Sequence, residues 1–358
     1  MRRMPAEFEK HSGTILIWPV REGSWPHKGV DAQKTFSELA NIISQHETLY
    51  MCCKPSDFTK VEAIFKDNAN ILVLPIDSDD AWARDVGPTF VEENNVITGV
   101  DWKFNAWGGD FDGLYQNYES DDKFASEFCK KTSYKTIDAH PFILEGGSIH
   151  VDGEGTLITT ETCLLSQGRN FNLTREEIES ELRKYLGIEK VIWLPGGILG
   201  DETNEHVDNI CCFSKPGEVI MSWTDDESDP QHDICVKNLE VLSSELDAKG
   251  RKINVIKLPL PQKPVVITEE DMEGFVFEEG EDIREPGEKL AASYANFYIA
   301  NDSVLVPQFG DINDKVAVDI LTEVFKDRTI YPIKARSIIV GGGNIHCITQ
   351  QIPLGGNI

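Results

Sequence analysis

The sequence is short of several things that would define a protein class. It has no apolar run approaching the roughly 18 residues that cross a bilayer, and its opening, MRRMPAEFEK, lacks the apolar stretch of a secretory leader. A cytosolic chain with no membrane partner is the expectation. Positive charge is scarce: 34 Lys and Arg stand against 61 Asp and Glu, giving a formal charge of −27 and a pI near 4.6. That balance argues against nucleic acid and other polyanions and favours the approach of a cation. It names no substrate, because a solvated acidic surface gives the same count.

Cysteine is sparse too. Eight in 358 residues cannot make a disulfide scaffold, and no CxxC spacing supports a zinc ribbon or a thioredoxin-type motif. The Cys52-Cys53 and Cys211-Cys212 pairs sit in apolar, strand-like runs, as small buried hydrophobes do. No Gly/Ser-rich linker divides the chain, so one domain over residues 1–358 is expected.

What is present is an alternation of short apolar runs with amphipathic stretches. Phe36, Leu39, Ala40 and Ile43 fall at helical spacing between Ala32 and Gln45. LTREEIESELRKYLG opens with Thr174 and Glu177 as a capping box and closes at Gly187. Cys235, Leu239, Leu242 and Leu246 form another stripe, expected to stop at Lys249-Gly250. Between them lie β-like runs: ILVLP, KVIWLP, EVIMSW, KINVIKL and NFYIA. The class is α/β. Leu258 to Lys289, rich in Pro and Glu, reads as a long surface excursion without chemistry.

Two stretches share a frame. LEGGSIHVDG (Leu144 to Gly153) and GGGNIHCITQQ (Gly341 to Gln351) align as Gly-Gly-Ser/Asn-Ile-His, which points to degenerate repeats around one core. After the histidine one reads Val151 and the other Cys347. The glycines permit a tight turn, and Ile345 to Thr349 then reads as a strand with Cys347 at its edge. In an extended chain His346 would point away from Cys347, and a histidine repeated at both His150 and His346 is better explained by the fold.

A base is better sought in GDETNEHVDNICCF. If His206-Val207-Asp208 is extended, imidazole and carboxylate share one face and Val207 enters the core. Asp85, in DAWARDVGPTF, and Glu145, directly before Gly146-Gly147, are further candidate acids. Either alone would read as an ordinary capping or ion-paired residue. From the residues unaided, the reading is a metal-free cysteine hydrolase or transferase, Cys347 the nucleophile and His206 the base.

Several segments, in order from Met4 to Gln351, resemble the motifs of agmatine deiminases: MPAEFEKHSGTILIWP, DAWARDVGPTF, GVDWKFNAWGG, LEGGSIHVDGEGTLITTETCLL, ETNEHVDN, ASYANFYIANDSVLVPQFGD and GGGNIHCITQQ. The resemblance implies a pentein fold, five ββαβ modules in a propeller around a central active site. It implies hydrolysis of agmatine to N-carbamoylputrescine and ammonia through an amidino-cysteine intermediate, with no metal or organic cofactor, in an enzyme that commonly self-associates. Carried over residue by residue, it makes Cys347 the nucleophile and His206 the acid/base. Asp85 and Asp208 would hold the guanidinium, Glu145 would support the histidine and the guanidinium end, and Trp82 and Trp107 would lie near the pocket. Glu205 stands where the family pattern has glycine, and a carboxylate there is expected to raise the His206 pKa or alter access. The alternatives are deimination of peptidylarginine or another guanidine, amidino transfer to an amine, and a polyamine-binding scaffold without turnover.

Overall fold

A computed structural model describes residues 2–281 and 283–355. It contains five small sheets, each of three or four strands, and each built to one plan. In the first, Thr89–Glu93 and Val96–Lys103 form an antiparallel hairpin, the helix Asp121–Thr132 crosses over, and Lys135–Ile143 returns parallel to the second strand. The local reasons are visible. Asn94 and Asn95 turn the hairpin with both φ angles positive, which Asn tolerates and the twist of a two-residue turn requires. The helix buries Phe124, Ala125, Phe128 and Cys129 as one stripe; Phe128→Ala there would cost about 3–5 kcal/mol.

The same ββαβ order recurs three times along the chain. It runs through His150–Val151, Thr156–Thr160, Arg175–Leu186 and Lys190–Leu194, and next through Cys211–Lys215, Glu218–Trp223, Pro230–Ser244 and Asn254–Pro259. Tyr298–Ala300, Ser303–Gln308, Asn313–Val324 and Thr329–Lys334 complete the series. The fifth unit joins the two ends of the chain. Gln350–Pro353 pairs antiparallel with His11–Ile17, Gln350 opposite Ile15, and Val30–Ile43 leads to Thr48–Cys53. Five ββαβ units result, consistent with the expected propeller, and the pairing of the chain ends sets the C-terminal turn beside the N-terminal segment.

The expected helices are found, with one shift. The Thr174 capping box is present and Gly187 closes that helix at φ 69°. The Cys235 helix, however, ends at Ser244. Lys249 and Gly250 instead cap a tight turn held by the Asp247 carboxylate, which accepts from the backbone N–H of Lys249 and Arg251.

The 258–289 excursion is a strap with chemistry of its own. Ile267 and Leu290 pack against Ile339 and Val340, Val276 N–H bonds the Glu22 carbonyl, and Arg284 reaches the Gly341 carbonyl. Its Glu281 and Arg284 line the cavity that Cys347 also lines, which corrects the expectation that this segment carries no chemistry.

Candidate active site

Cys347 lies in a turn over Ile345 to Ile348, not in a strand; the strand starts at Gln350. The turn is held by Ile348 N–H to the Asn344 carbonyl and by the Thr349 hydroxyl to the Ile345 carbonyl. His206-Val207-Asp208 is likewise not extended: Val207–Asn209 is a single 3₁₀ turn with His206 at its start. Val207 is nonetheless fully buried in the core, as expected, while His206 and Asp208 lie together beside Asp85 and Gly147, behind the cavity wall.

The cavity is lined by Trp82, Asp85, Trp107 and Cys347 among others. Asp85 is fixed from two sides, accepting from Gly147 N–H at 2.8 Å and from the Trp107 indole N–H at 2.9 Å. Its Oδ2 stands 3.9 Å from His206 Nδ1, and on the other side of the ring Nε2 stands 3.7 Å from Glu145 Oε2. Asp208 Oδ2 lies 3.7 Å from Cys347 Sγ. Trp82 is oriented by Asp80, which also accepts from the Trp25 indole and the Ser24 hydroxyl. The seven predicted residues therefore converge, Glu145 and His206 forming the wall behind Asp85.

Burial sets the charges. It pushes the Asp85 carboxyl up to about 6, with Asp208 and Glu145 adding to the rise and His206 opposing it. Burial alone would discharge His206, but Asp85, Cys163 and Glu145 around it raise its pKa well above the usual range. Glu145 and Asp208 are held low against the same burial, Glu145 chiefly by Arg169 and Asp208 chiefly by His346. Burial raises the Cys347 thiol well above its ordinary value, and the Asp208 and Asp85 charges raise it further.

Sequence reading missed the residues that make this charge density tolerable. Arg169 Nε sits 2.8 Å from Glu145 while its other nitrogens bond the Trp107 and Thr203 carbonyls. Arg84, Glu7, His346 and Asn296 complete the shell. Asn296 Nδ2 donates to Cys347 Sγ at 3.3 Å, and Arg284 pairs with Glu202 at the mouth. Arg84 was within a quoted motif and buried arginines need partners, but nothing local names the partner. Two buried trios have donor atoms close enough for a metal ion: Glu7, His150 and His346, and Glu145, Cys163 and His206.

Glu205 is another correction. It adopts φ 67°, the left-handed conformation that explains a family glycine. Its carboxylate turns from His206, accepting from Gly197 N–H at 2.7 Å and the Thr162 hydroxyl at 3.2 Å.

A buried thiol beside converging carboxylates and an imidazolium defines a class: pentein-fold cysteine enzymes that modify planar, cationic guanidino groups. The chain belongs to the Porphyromonas-type peptidyl-arginine deiminase family, whose model matches residues 3–353. A protein of Selenomonas ruminantium described as "Putative agmatine deiminase" is 56% identical over 98% of this chain and 95% of its own length. The solved agmatine deiminase of Enterococcus faecalis superposes with a TM-score of 0.93 at 42% identity, covering 98% of this chain and 96% of that one. A C. jejuni agmatine deiminase with substrate bound gives a TM-score of 0.82 at 28% identity, covering 99% and 97%.

Proposed function

We propose that this enzyme hydrolyses agmatine to N-carbamoylputrescine and ammonia. One observation carries the reading: five acids, Asp80, Asp85, Asp201, Glu202 and Glu281, line the cavity that ends at Cys347, against two arginines, Arg21 and Arg284. A molecule cationic at both ends suits that lining. Glu281 is paired with Arg21, and the strap that carries it runs from Glu22 to Glu202 and Gly341 across this cavity, which suits a free small molecule better than a peptide.

The roles follow from the charges. Asp85 and Asp208 accept N–H bonds from the guanidinium, and its positive charge lowers the thiol pKa where the empty site raises it. No hydrogen bond joins Cys347 to His206 among the described residues, so His206 is read as acting on the departing nitrogen. The thiol loses its proton to solvent as the cation enters. Its sulfur bonds the guanidinium carbon, one C–N bond breaks, and imidazolium His206 gives the leaving nitrogen its proton as ammonia departs. Neutral His206 then takes a proton from water, whose oxygen bonds the same carbon, the C–S bond breaks to return the thiolate, and the remaining hydroxyl proton passes to solvent. The ureido end of the product is neutral and loses its ionic hold on the two carboxylates. One histidine serves both halves and the substrate supplies the electrophile, so the scheme is complete without a cofactor.

The chain is read as one catalytic domain, cytosolic and self-associating. The deciding experiment supplies purified protein with agmatine, free arginine and an arginyl peptide, measuring ammonia and ureido product. Agmatine is expected to have the highest kcat/KM. A higher value for the peptide would transfer the assignment to a peptidylarginine deiminase, and a new guanidine formed from an added amine would make it an amidinotransferase.

A further inference from the structure

Behind Asp208 runs a line of buried groups that the scheme above does not use. His346 Nδ1 lies 2.8 Å from Asp208 Oδ2, and its Nε2 lies 2.8 Å from Glu7 Oε2. A carboxylate oxygen only accepts, so both bonds exist together only if both ring nitrogens carry protons: His346 is an imidazolium. Glu7 is held in turn by Arg84 at 3.0 Å and by Ile299 N–H at 2.9 Å. Arg84 also donates to the Gln351 side chain at 2.6 Å, and its backbone N–H bonds the Cys347 carbonyl. Arg84, Glu7, His346 and Asp208 thus alternate in sign, each 5% exposed or less.

Such a row is costly to bury and is sustained only when every member has partners. At its front end one atom lacks them. Asp208 Oδ2 is taken by His346, while Oδ1 is buried with no hydrogen-bond partner. The other clamp acid differs: both oxygens of Asp85 are already accepting.

We propose that His346 and Glu7 are positioning residues for the guanidinium: by engaging Asp208 Oδ2 they fix that side chain so that Oδ1 remains the free acceptor for a substrate N–H. The proposal rests on Asp208 being part of the clamp read above, and it assigns a function to a histidine that the repeated frame alone would make structural. His346 touches no reacting atom in this scheme. It acts through Asp208.

The two ring nitrogens can be replaced one at a time. In His346→Asn the amide occupies the place of Nδ1, keeping a donor for Asp208 and losing Glu7. In His346→Gln the amide reaches the place of Nε2, keeping Glu7 and leaving Asp208 unsupported. Affinity for methylguanidine, the guanidinium without a far end, is measured by calorimetry in a Cys347→Ala background. His346→Gln is expected to weaken binding about tenfold or more, and His346→Asn about threefold or less. In the active enzyme the Gln variant's loss should fall mainly on KM. Equal affinities for the two variants, or a larger loss with Asn, would overturn the proposal. Ammonia release from agmatine by the unmodified enzyme tests the reaction separately, so failure there leaves the binding comparison standing.

Discussion

Gly146–His150 and Gly342–His346 are one five-residue frame used twice, and in each the second glycine lies against the site. A Cβ on Gly147 would come within 2.6 Å of His206 Nδ1 and 2.9 Å of Asp85, and one on Gly343 within 2.5 Å of the Trp82 ring. Both isoleucines are buried, and the two histidines stack with centroids 6.2 Å apart. From there the frames part. His150 Nδ1 accepts from Phe213 N–H, and burial, reinforced by the charges of His346 and Arg84, takes its pKa down to about 4. Burial and Arg84 press on His346 in the same direction, but Glu7 and Asp208 at its two nitrogens prevail and raise it. The backbone cradle belongs to the fold, while charge and chemistry come from the residues that flank the frame and meet it across the ring.

That contrast can be broken at matched positions. The largest effect is expected where the frames differ most. Cys347→Ala should reduce ammonia release at least about a thousandfold with circular dichroism unchanged, whereas Val151→Ala should cost about 2 kcal/mol of stability and little turnover. Next comes the shared glycine. Gly147→Ala drives a methyl into His206, Asp85 and Asp208 together and should lower kcat/KM about a hundredfold, a loss read by steady-state kinetics.

Asp85→Asn should reduce kcat/KM by about tenfold to a hundredfold near neutral pH. It should also raise the melting temperature there. An acid whose folded pKa is raised from 3.8 to about 6 contributes stability that is fully present below the unfolded value and lost as pH rises through about 6. The variant's advantage should therefore shrink as pH falls from 7 toward 4, followed by thermal melts. The same ionisation predicts that kcat/KM of the unmodified enzyme falls as pH drops through about 6. The smallest effect is assigned to His150→Gln, about threefold or less in kcat/KM, because a neutral histidine loses no charge there. A larger loss would put both frames in the chemistry.

Much of this was legible in the sequence because it is local. Apolar period and the Thr174 capping box are written within a few residues of the structure they cause. The repeated frame disclosed the pseudosymmetry, and Cys347, His206, Asp85, Asp208 and Glu145 converge as the motif reading required. What escaped was non-local or conformational. The partner of a buried charge can lie hundreds of positions away, as Glu7 does from His346. Period-two reasoning assumed strands at His206–Asp208 and Ile345–Thr349, where tight turns bring the side chains in by a different geometry. The strap over 258–289 was misjudged because its Pro/Glu composition is that of a solvated loop, and composition is blind to two residues that dip into a cavity.

The difference between Cys347 and Val151 is tested most directly by acid-quenching the enzyme during turnover of agmatine and mapping the modified peptide by mass spectrometry. The peptide from the second frame should carry, on Cys347, the mass of agmatine less ammonia. Turnover without any such adduct, or an adduct on another of the eight cysteines, would contradict the account.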